Sequence, residues 1–256
     1  MSFVKICQDT LAGSVNRAYN IPMINGRLLH APPDPSVPTV ISDMEGTLSA
    51  GVTWKGLRDY LETHGRAPAV RGFIRRRLPQ VALYRLRLLP NPEAFQREWL
   101  MGLLGLFAGM ETAEFDHVST WLVEQELWRK RRQPLIAELQ AHLAAGRRVV
   151  LASGLFEPML AKFAAKVGAE AIGTPLRFDG QGRFTGELDT ADFNTGELKA
   201  VQARHFIPPN GRLYAAYGDT AADIPLLHLA EQATAVCPDK RLRRVAQQHG
   251  WRIWEA

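Results

Sequence analysis

Residues 37–48 read VPTVISDMEGTL, a short β-branched run that ends in Asp43 and breaks at once into a turn around Gly46. An apolar run of this length, bounded by turn residues, predicts a strand buried in a sheet and feeding a loop. Strands of the same type return only after Gly146, as RRVVLAS (147–153), AEAIGT (169–174), RLYAAYGD (212–219), ATAVC (233–237) and WRIW (251–254). Helical patterns separate them: EPMLAKFAAKVG (157–168, closed by Gly168), TGELKAVQARHF (195–206), AADIPLLHLAEQ (221–232) and KRLRRVAQQHG (240–250). LRFDGQGRFTGEL (176–188) predicts a hairpin turning at residues 179–182. Strands alternating with helices specify an α/β fold, a mainly parallel Rossmann-like sheet with crossover helices.

The hundred residues between the first and second strands read as helix almost throughout. Residues 52–63, a basic stretch over about 70–89 interrupted by Pro79, and 92–109 carry helical patterns; the last opens on Asn91 as N-cap with Pro92 at the first helical position. Another runs from Thr112 toward Gly146, with Pro134 marking a break or a fresh start. Residues 31–38, APPDPSVP, hold four prolines and read as a linker. The expected organisation is an arm and Pro-rich linker over 1–38, an α/β core over 39–50 and 130–256, and an α-helical cap inserted over 51–129.

With 256 residues, 46% of them hydrophobic and 22% charged, the chain can bury a sizeable core, which excludes collagen-like, disulfide-scaffold and wholly disordered classes. Cys7 and Cys237 permit at most one bridge, and the N-terminus shows no charged segment leading into an apolar one, so a reduced, cytoplasmic protein is expected. The longest uncharged apolar run, LMGLLGLFAGM (100–110), is well short of the roughly 20 residues that span a bilayer. The net charge of +5 is concentrated: residues 66–92 hold Arg66, Arg71, Arg75, Arg76, Arg77, Arg85 and Arg87 and no acid.

In an open parallel sheet ligands bind at the carboxyl ends of the strands. The residues there form a coherent polar set: Asp43-Met44-Glu45-Gly46-Thr47 after the first strand, Ser153-Gly154 after the second, and Asp219 and Asp223 after RLYAAY. Four converging carboxylates demand a cation, and hard oxygen donors without nearby cysteine or histidine favour Mg2+. A carboxylate in such a site can act as nucleophile and a second one two residues on can shuttle the proton, which suits phosphoryl transfer. The remaining positive charge falls to Lys199, the one lysine between Lys166 and Asp219.

These four signatures, in this order and spacing, resemble the haloacid dehalogenase superfamily, in its phosphoserine-phosphatase-like branch with a helical cap. The resemblance covers residues 37–256 and implies Asp43 as nucleophile, Glu45 as general acid/base, Ser153 with Gly154 as the phosphoryl-binding group and Lys199 as the charge-balancing lysine. It implies Mg2+ held by Asp43, the backbone carbonyl of Glu45 and Asp219, with Asp223 ligating or organising the site, and Thr47 fixing the loop. Three positions depart from the branch: Glu45 stands where aspartate is usual, as in enolase-phosphatases, and Val52 and Ala222 replace a glutamate and an asparagine that contact phosphoserine. The expected function is therefore a Mg2+-dependent phosphomonoester hydrolase acting through an aspartyl-phosphate on a small soluble metabolite other than phosphoserine.

The arginines of the cap, interleaved with Leu78, Val81, Leu83, Leu86, Leu88 and Leu89, read most simply as a solvated face, and more sharply as a surface for substrate selection or for anionic lipid. Two alternatives follow: a phosphatase of a lipid phosphate such as phosphatidylglycerophosphate at the membrane surface, or a non-catalytic polyanion-binding protein. No specific nucleic-acid contact is expected, the scattered histidines carry no assigned role, and Trp251 and Trp254 are expected in the core.

Overall fold

The structure, a computed structural model, describes residues 34 and 36–255 and the backbone of a short antiparallel pair, β1 (Met23–Ile24) with β2 (Arg27–Leu28). The rest of the expected arm over 1–38, Cys7 included, lies outside the described residues. Six parallel strands form the central sheet: β3 (Thr39–Ser42), β4 (Arg148–Phe156), β5 (Glu170–Thr174), β8 (Leu213–Gly218), β9 (Ala230–Val236) and β10 (Arg252–Trp254). Their order is β10-β9-β8-β3-β4-β5. The first strand of the sheet is thus near its middle, with β4 on one side and β8 on the other.

Period-2 alternation divides the apolar side chains between the two faces. Val40, Val149, Leu151, Ala215 and Tyr217 join one cluster, against Leu135, Ile136 and Leu139 of α5 (Gln133–Ala144) and Met159, Leu160 and Phe163 of α6 (Glu157–Val167). Ile41, Val150, Ala152 and Ala216 join the other. There they meet Ala203 of α7 (Gly196–Ala203), Leu226 and Leu227 of α8 (Ile224–Leu227), and Leu242 and Ala246 of α9 (Lys240–His249). Burial on both faces explains why β3 and β4 read as nearly continuous apolar runs.

Between β3 and β4 the chain forms α1 (Thr53–Thr63), α2 (Ala67–Arg85), α3 (Pro92–Leu104), α4 (Thr112–Leu122), a π-helical turn (Val123–Leu127) and a 3-10 turn (Trp128–Lys130). Its core, with Leu57, Leu61, Val70, Phe107 and Phe115, is continuous with that of the sheet's first face. The hairpin β6 (Leu176–Phe178) and β7 (Phe184–Leu188) grips this insertion: Gly109 N–H donates to Phe184 O at 2.8 Å, and Phe184 N–H to Met110 O at 2.8 Å. Phe115 packs there against Phe107, Phe178 and Phe184.

Three local expectations change. The helix over α2 continues through Pro79, which is exposed, so the backbone acceptor it leaves unpaired can turn to water. The pattern over 221–232 is helical only as a 3-10 turn (Ala221–Asp223) and α8; Ala230–Gln232 instead open β9, drawn into the ladder opposite Leu213 and Ala215. β4 extends through Ser153 to Phe156, with its register against β5 shifting between Ala152 and Phe156. Pro134 marks a fresh start, near the N-terminus of α5.

Phe115→Ala would empty an aromatic site shared by the insertion and the hairpin and is expected to cost about 3–5 kcal/mol, read by urea unfolding.

Candidate active site

Where the strand order diverges from β3 toward β4 and β8, three strand ends meet. Asp43 follows β3 directly, its N–H still donating to Tyr217 O of β8 at 3.0 Å. Asp219 follows β8, and Ser153 sits in the irregular stretch of β4. This is the crevice in which doubly wound sheets bind ligands.

Lys199, 3% exposed on α7, places its ammonium 2.7 Å from Asp43 Oδ1 and 2.7 Å from Asp223 Oδ1. Asp223 Oδ2 accepts from the Asp219 and Thr220 amides at 3.2 Å each and from the Thr220 hydroxyl at 3.3 Å. The Thr47 hydroxyl donates to Asp219 Oδ1 at 3.2 Å, and the Ser153 hydroxyl lies beside the Asp43 carboxylate and lowers its pKa. Burial raises the Asp43 pKa, with the Asp223 charge adding to it and Lys199 opposing it. Burial and the Asp43 and Asp223 charges push Asp219 up to about 8. Burial pulls the Lys199 pKa down, but Asp223 and Asp43 together hold it above its ordinary value.

Carboxylate oxygens of Asp43, Asp219 and Asp223 lie within 4.8 Å of one another. Three carboxylates against one ammonium leave a surplus of negative charge in a desolvated place, and every donor is a hard oxygen. That set fits a small divalent cation such as Mg2+.

Glu45 points toward the start of the insertion. Its carboxylate accepts from the Thr53 amide at 3.2 Å and from the Thr53 hydroxyl. Burial pushes the Glu45 pKa up to about 7; the Thr53 hydrogen bonds oppose the shift, while the Asp43 and Glu126 charges add to it. Glu126, buried at the far end of the insertion, accepts from Val52 N–H at 3.0 Å and pairs with Lys130 at 2.5 Å. Arg132 donates to Gly46 O at 2.5 Å and to Thr47 O at 3.1 Å, and its own amide to Leu48 O at 2.7 Å. Gly46 has φ +89°, and a Cβ there would stand 2.0 Å from Asp219 Oδ2, so this turn admits only glycine.

The structure therefore brings Asp43, Ser153, Lys199, Asp219 and Asp223 into one cluster, with Thr47 on its edge and Glu45 beside it. Gly154 lies next to Thr195, whose Cγ2 would be 2.7 Å from an added Cβ. Ser153 does not cap the following helix, whose N-cap is Phe156. The sequence reading missed Thr53, Glu126 and Arg132. A threonine in the first turn of the helix expected over 52–63, eight residues after Glu45, was a usable signal for Thr53; the other two act across long sequence separations that no local pattern marks.

The haloacid dehalogenase-like hydrolase family matches residues 40–228. A Mycobacterium tuberculosis protein named phosphoserine phosphatase is 28% identical over 158 residues, 59% of this chain and 49% of that protein. The chain spans about half the length of the curated relatives it matches. Among solved structures, a Bordetella pertussis protein of unknown function aligns with TM-score 0.68 and 22% identity, covering 85% of this chain and 98% of that one. A substrate-bound phosphoserine phosphatase aligns with TM-score 0.55 and 16% identity, covering 86% and 93%, so the two share a fold.

Lys199→Met removes the counter-charge of two buried carboxylates, with an expected cost of about 3–5 kcal/mol at pH 8. Because protonation relieves the same carboxylates, the deficit should shrink toward pH 5; urea unfolding at both pH values checks it. Thr53→Val deletes a hydrogen bond that favours the Glu45 carboxylate, so the Glu45 pKa should rise above about 7, read by carboxyl carbon NMR.

Proposed function

The chain belongs to the haloacid dehalogenase-like hydrolase family, and we propose that it is a Mg2+-dependent phosphomonoester hydrolase working through an aspartyl-phosphate on Asp43. The observation that carries this reading is the buried Asp43–Lys199–Asp223 cluster beside a carboxyl, Glu45, whose pKa is near neutrality.

Lys199 holds Asp43 Oδ1, which opposes the upward pull of burial on its pKa and leaves Oδ2 to attack phosphorus. As the Asp43 oxygen–phosphorus bond forms, the bond from phosphorus to the ester oxygen breaks, and Glu45 donates its proton to that oxygen. The Lys199 ammonium, the Ser153 hydroxyl and the Gly154 amide are the groups placed to receive the oxygens of the transferring phosphoryl. In the second half, Glu45, now a carboxylate, takes a proton from water, which attacks phosphorus and displaces the Asp43 oxygen. That proton restores Glu45 for the next turn, and phosphate leaves.

When bound, Mg2+ would neutralise the phosphoryl and carboxylate charge, held by Asp43, Asp219 and the Glu45 backbone carbonyl. Asp223, whose oxygens already accept from Lys199, Thr220 and the Asp219 amide, orients the site and completes the acidic set.

The substrate class is a small soluble phosphomonoester. Two features support one other than phosphoserine: an apolar Val52 at the position where phosphoserine phosphatases read the amino group, with its amide already taken by Glu126, and Ala222 in the acidic motif.

Phosphate release from a panel of phosphomonoesters tests the reading: Asp43→Asn should lower it about ten-thousandfold, whereas equal rates for the two proteins would overturn the nucleophile assignment. Glu45 must enter the first step protonated, so kcat/KM should fall as pH rises through about 7. Glu45→Gln should abolish that limb and cost about 10²–10⁴-fold in rate. Asp219, with its folded pKa raised to about 8, favours the fold in its protonated form, a contribution lost as pH rises from about 4 through 8. Cation binding competes with that proton, so Mg2+ should raise Tm more at pH 8 than at pH 6.

A further inference from the structure

The helical insertion carries a surface that the proposed hydrolysis does not use. Four of the large apolar side chains exposed among the described residues gather on the C-terminal half of α2 and the turn after it: Leu78 (53%), Leu83 (42%), Leu86 (66%) and Leu88 (65%). Arg71, Arg75, Leu78, Ala82 and Arg85 recur at helical spacing and are all exposed, so they form one outward stripe opposite the core-facing Val70 and Phe73. Arg77 pairs with Glu98, and Arg66 donates to Leu106 O. Among the described residues Arg71, Arg75, Arg76, Arg85 and Arg87 have neither an ion pair nor a side-chain hydrogen bond. At the tip an open cleft of about 490 Å³ is lined by Tyr84, Arg85, Arg87, Leu89 and Pro92.

The composition of this face selects among partners. Unpaired guanidinium groups attract any polyanion, but nucleic-acid phosphates offer nothing to four exposed leucines. A second copy of the chain would bring the same positive face and repel it. An anionic bilayer satisfies both halves: headgroup phosphates take the arginines, and the acyl boundary takes the leucines. Among the described residues no helix is long and apolar enough to cross a membrane, so the contact is with the surface.

We propose that the tip of α2 docks the protein on anionic lipid bilayers. Leu78, Leu86 and Leu88 enter the acyl boundary, Arg71, Arg75, Arg85 and Arg87 lie in the headgroup layer, and the cleft between Arg85 and Arg87 receives a lipid phosphate. The contact is independent of turnover.

Vesicle flotation tests this with the full chain, using vesicles of phosphatidylcholine alone and of phosphatidylcholine mixed with phosphatidylglycerol. The wild type should float with the mixed vesicles, stay behind with the neutral ones and be released by salt. Arg75→Gln/Arg85→Gln/Arg87→Gln should weaken binding about a hundredfold, at roughly fivefold per arginine. Leu78→Gln/Leu86→Gln/Leu88→Gln should weaken it as well, and circular dichroism should show both triple variants folded, because all six side chains are exposed. Asp43→Asn should float like the wild type, which separates this surface from the catalytic reading. Failure of the wild type to float with the anionic vesicles would overturn the proposal. So would unchanged binding in the leucine variant together with equal binding to duplex DNA, the signature of a polyanion surface without lipid preference.

Discussion

One buried ammonium organises the carboxyl edge of this sheet. Lys199 bridges Asp43 and Asp223, which follow different strands, and without it two desolvated carboxylates would stand within 4.8 Å of each other with no counter-charge. Removing charges from water costs several kcal/mol per ion, and that cost is offset only where geometry and further hydrogen bonds are good. Here they are: Asp223 also accepts two amides and a hydroxyl, and Asp43 continues the backbone ladder of β3 and β8. The arrangement therefore fixes the relative positions of β3, α7 and the β8 loop, while leaving the third carboxylate, Asp219, without full compensation. That surplus is what a small cation would neutralise.

Much of this was legible in the chain. VPTVIS, RRVVLA and RLYAAY are apolar on consecutive residues because parallel strands are covered on both faces, and that signature separates them from the half-wet strands of other folds. The strand-end residues were legible for the same reason: a run of apolar residues followed abruptly by acids needs a place where acids are useful. Lys199 was found by elimination, since no other lysine stands in its segment. The illegible parts are contacts made at a distance in sequence. Arg132 reaches back to carbonyls of residues 46 and 47, and Glu126 caps the amide of Val52; neither has a local pattern, because each depends on the insertion closing upon itself. The length of β9 was misread because Ala230–Gln232 are good helix residues that the edge of β8 recruits into a strand.

The insertion shows two kinds of surface on one set of helices. Inward, Leu57, Leu61, Val70 and Phe115 share a core with the sheet, so the insertion and the sheet are a single packed body rather than a lid resting on a base. Outward, α2 carries arginines with no acid near them in sequence, and leucines that no described element covers. Chains under pressure for solubility alone intersperse charges of both signs. A one-signed face studded with leucine is the pattern of a surface kept for contact.

Thr53 opens the insertion, and Glu45 is tied to it by both its amide and its hydroxyl. Burial is the main reason that the Glu45 pKa stands near 7 rather than in the ordinary carboxylate range. Packing α1 over Glu45 and arming the acid are thus one event of folding: because its folded pKa lies above the unfolded value, protonated Glu45 favours the fold, a contribution lost as pH rises from about 4 through about 7.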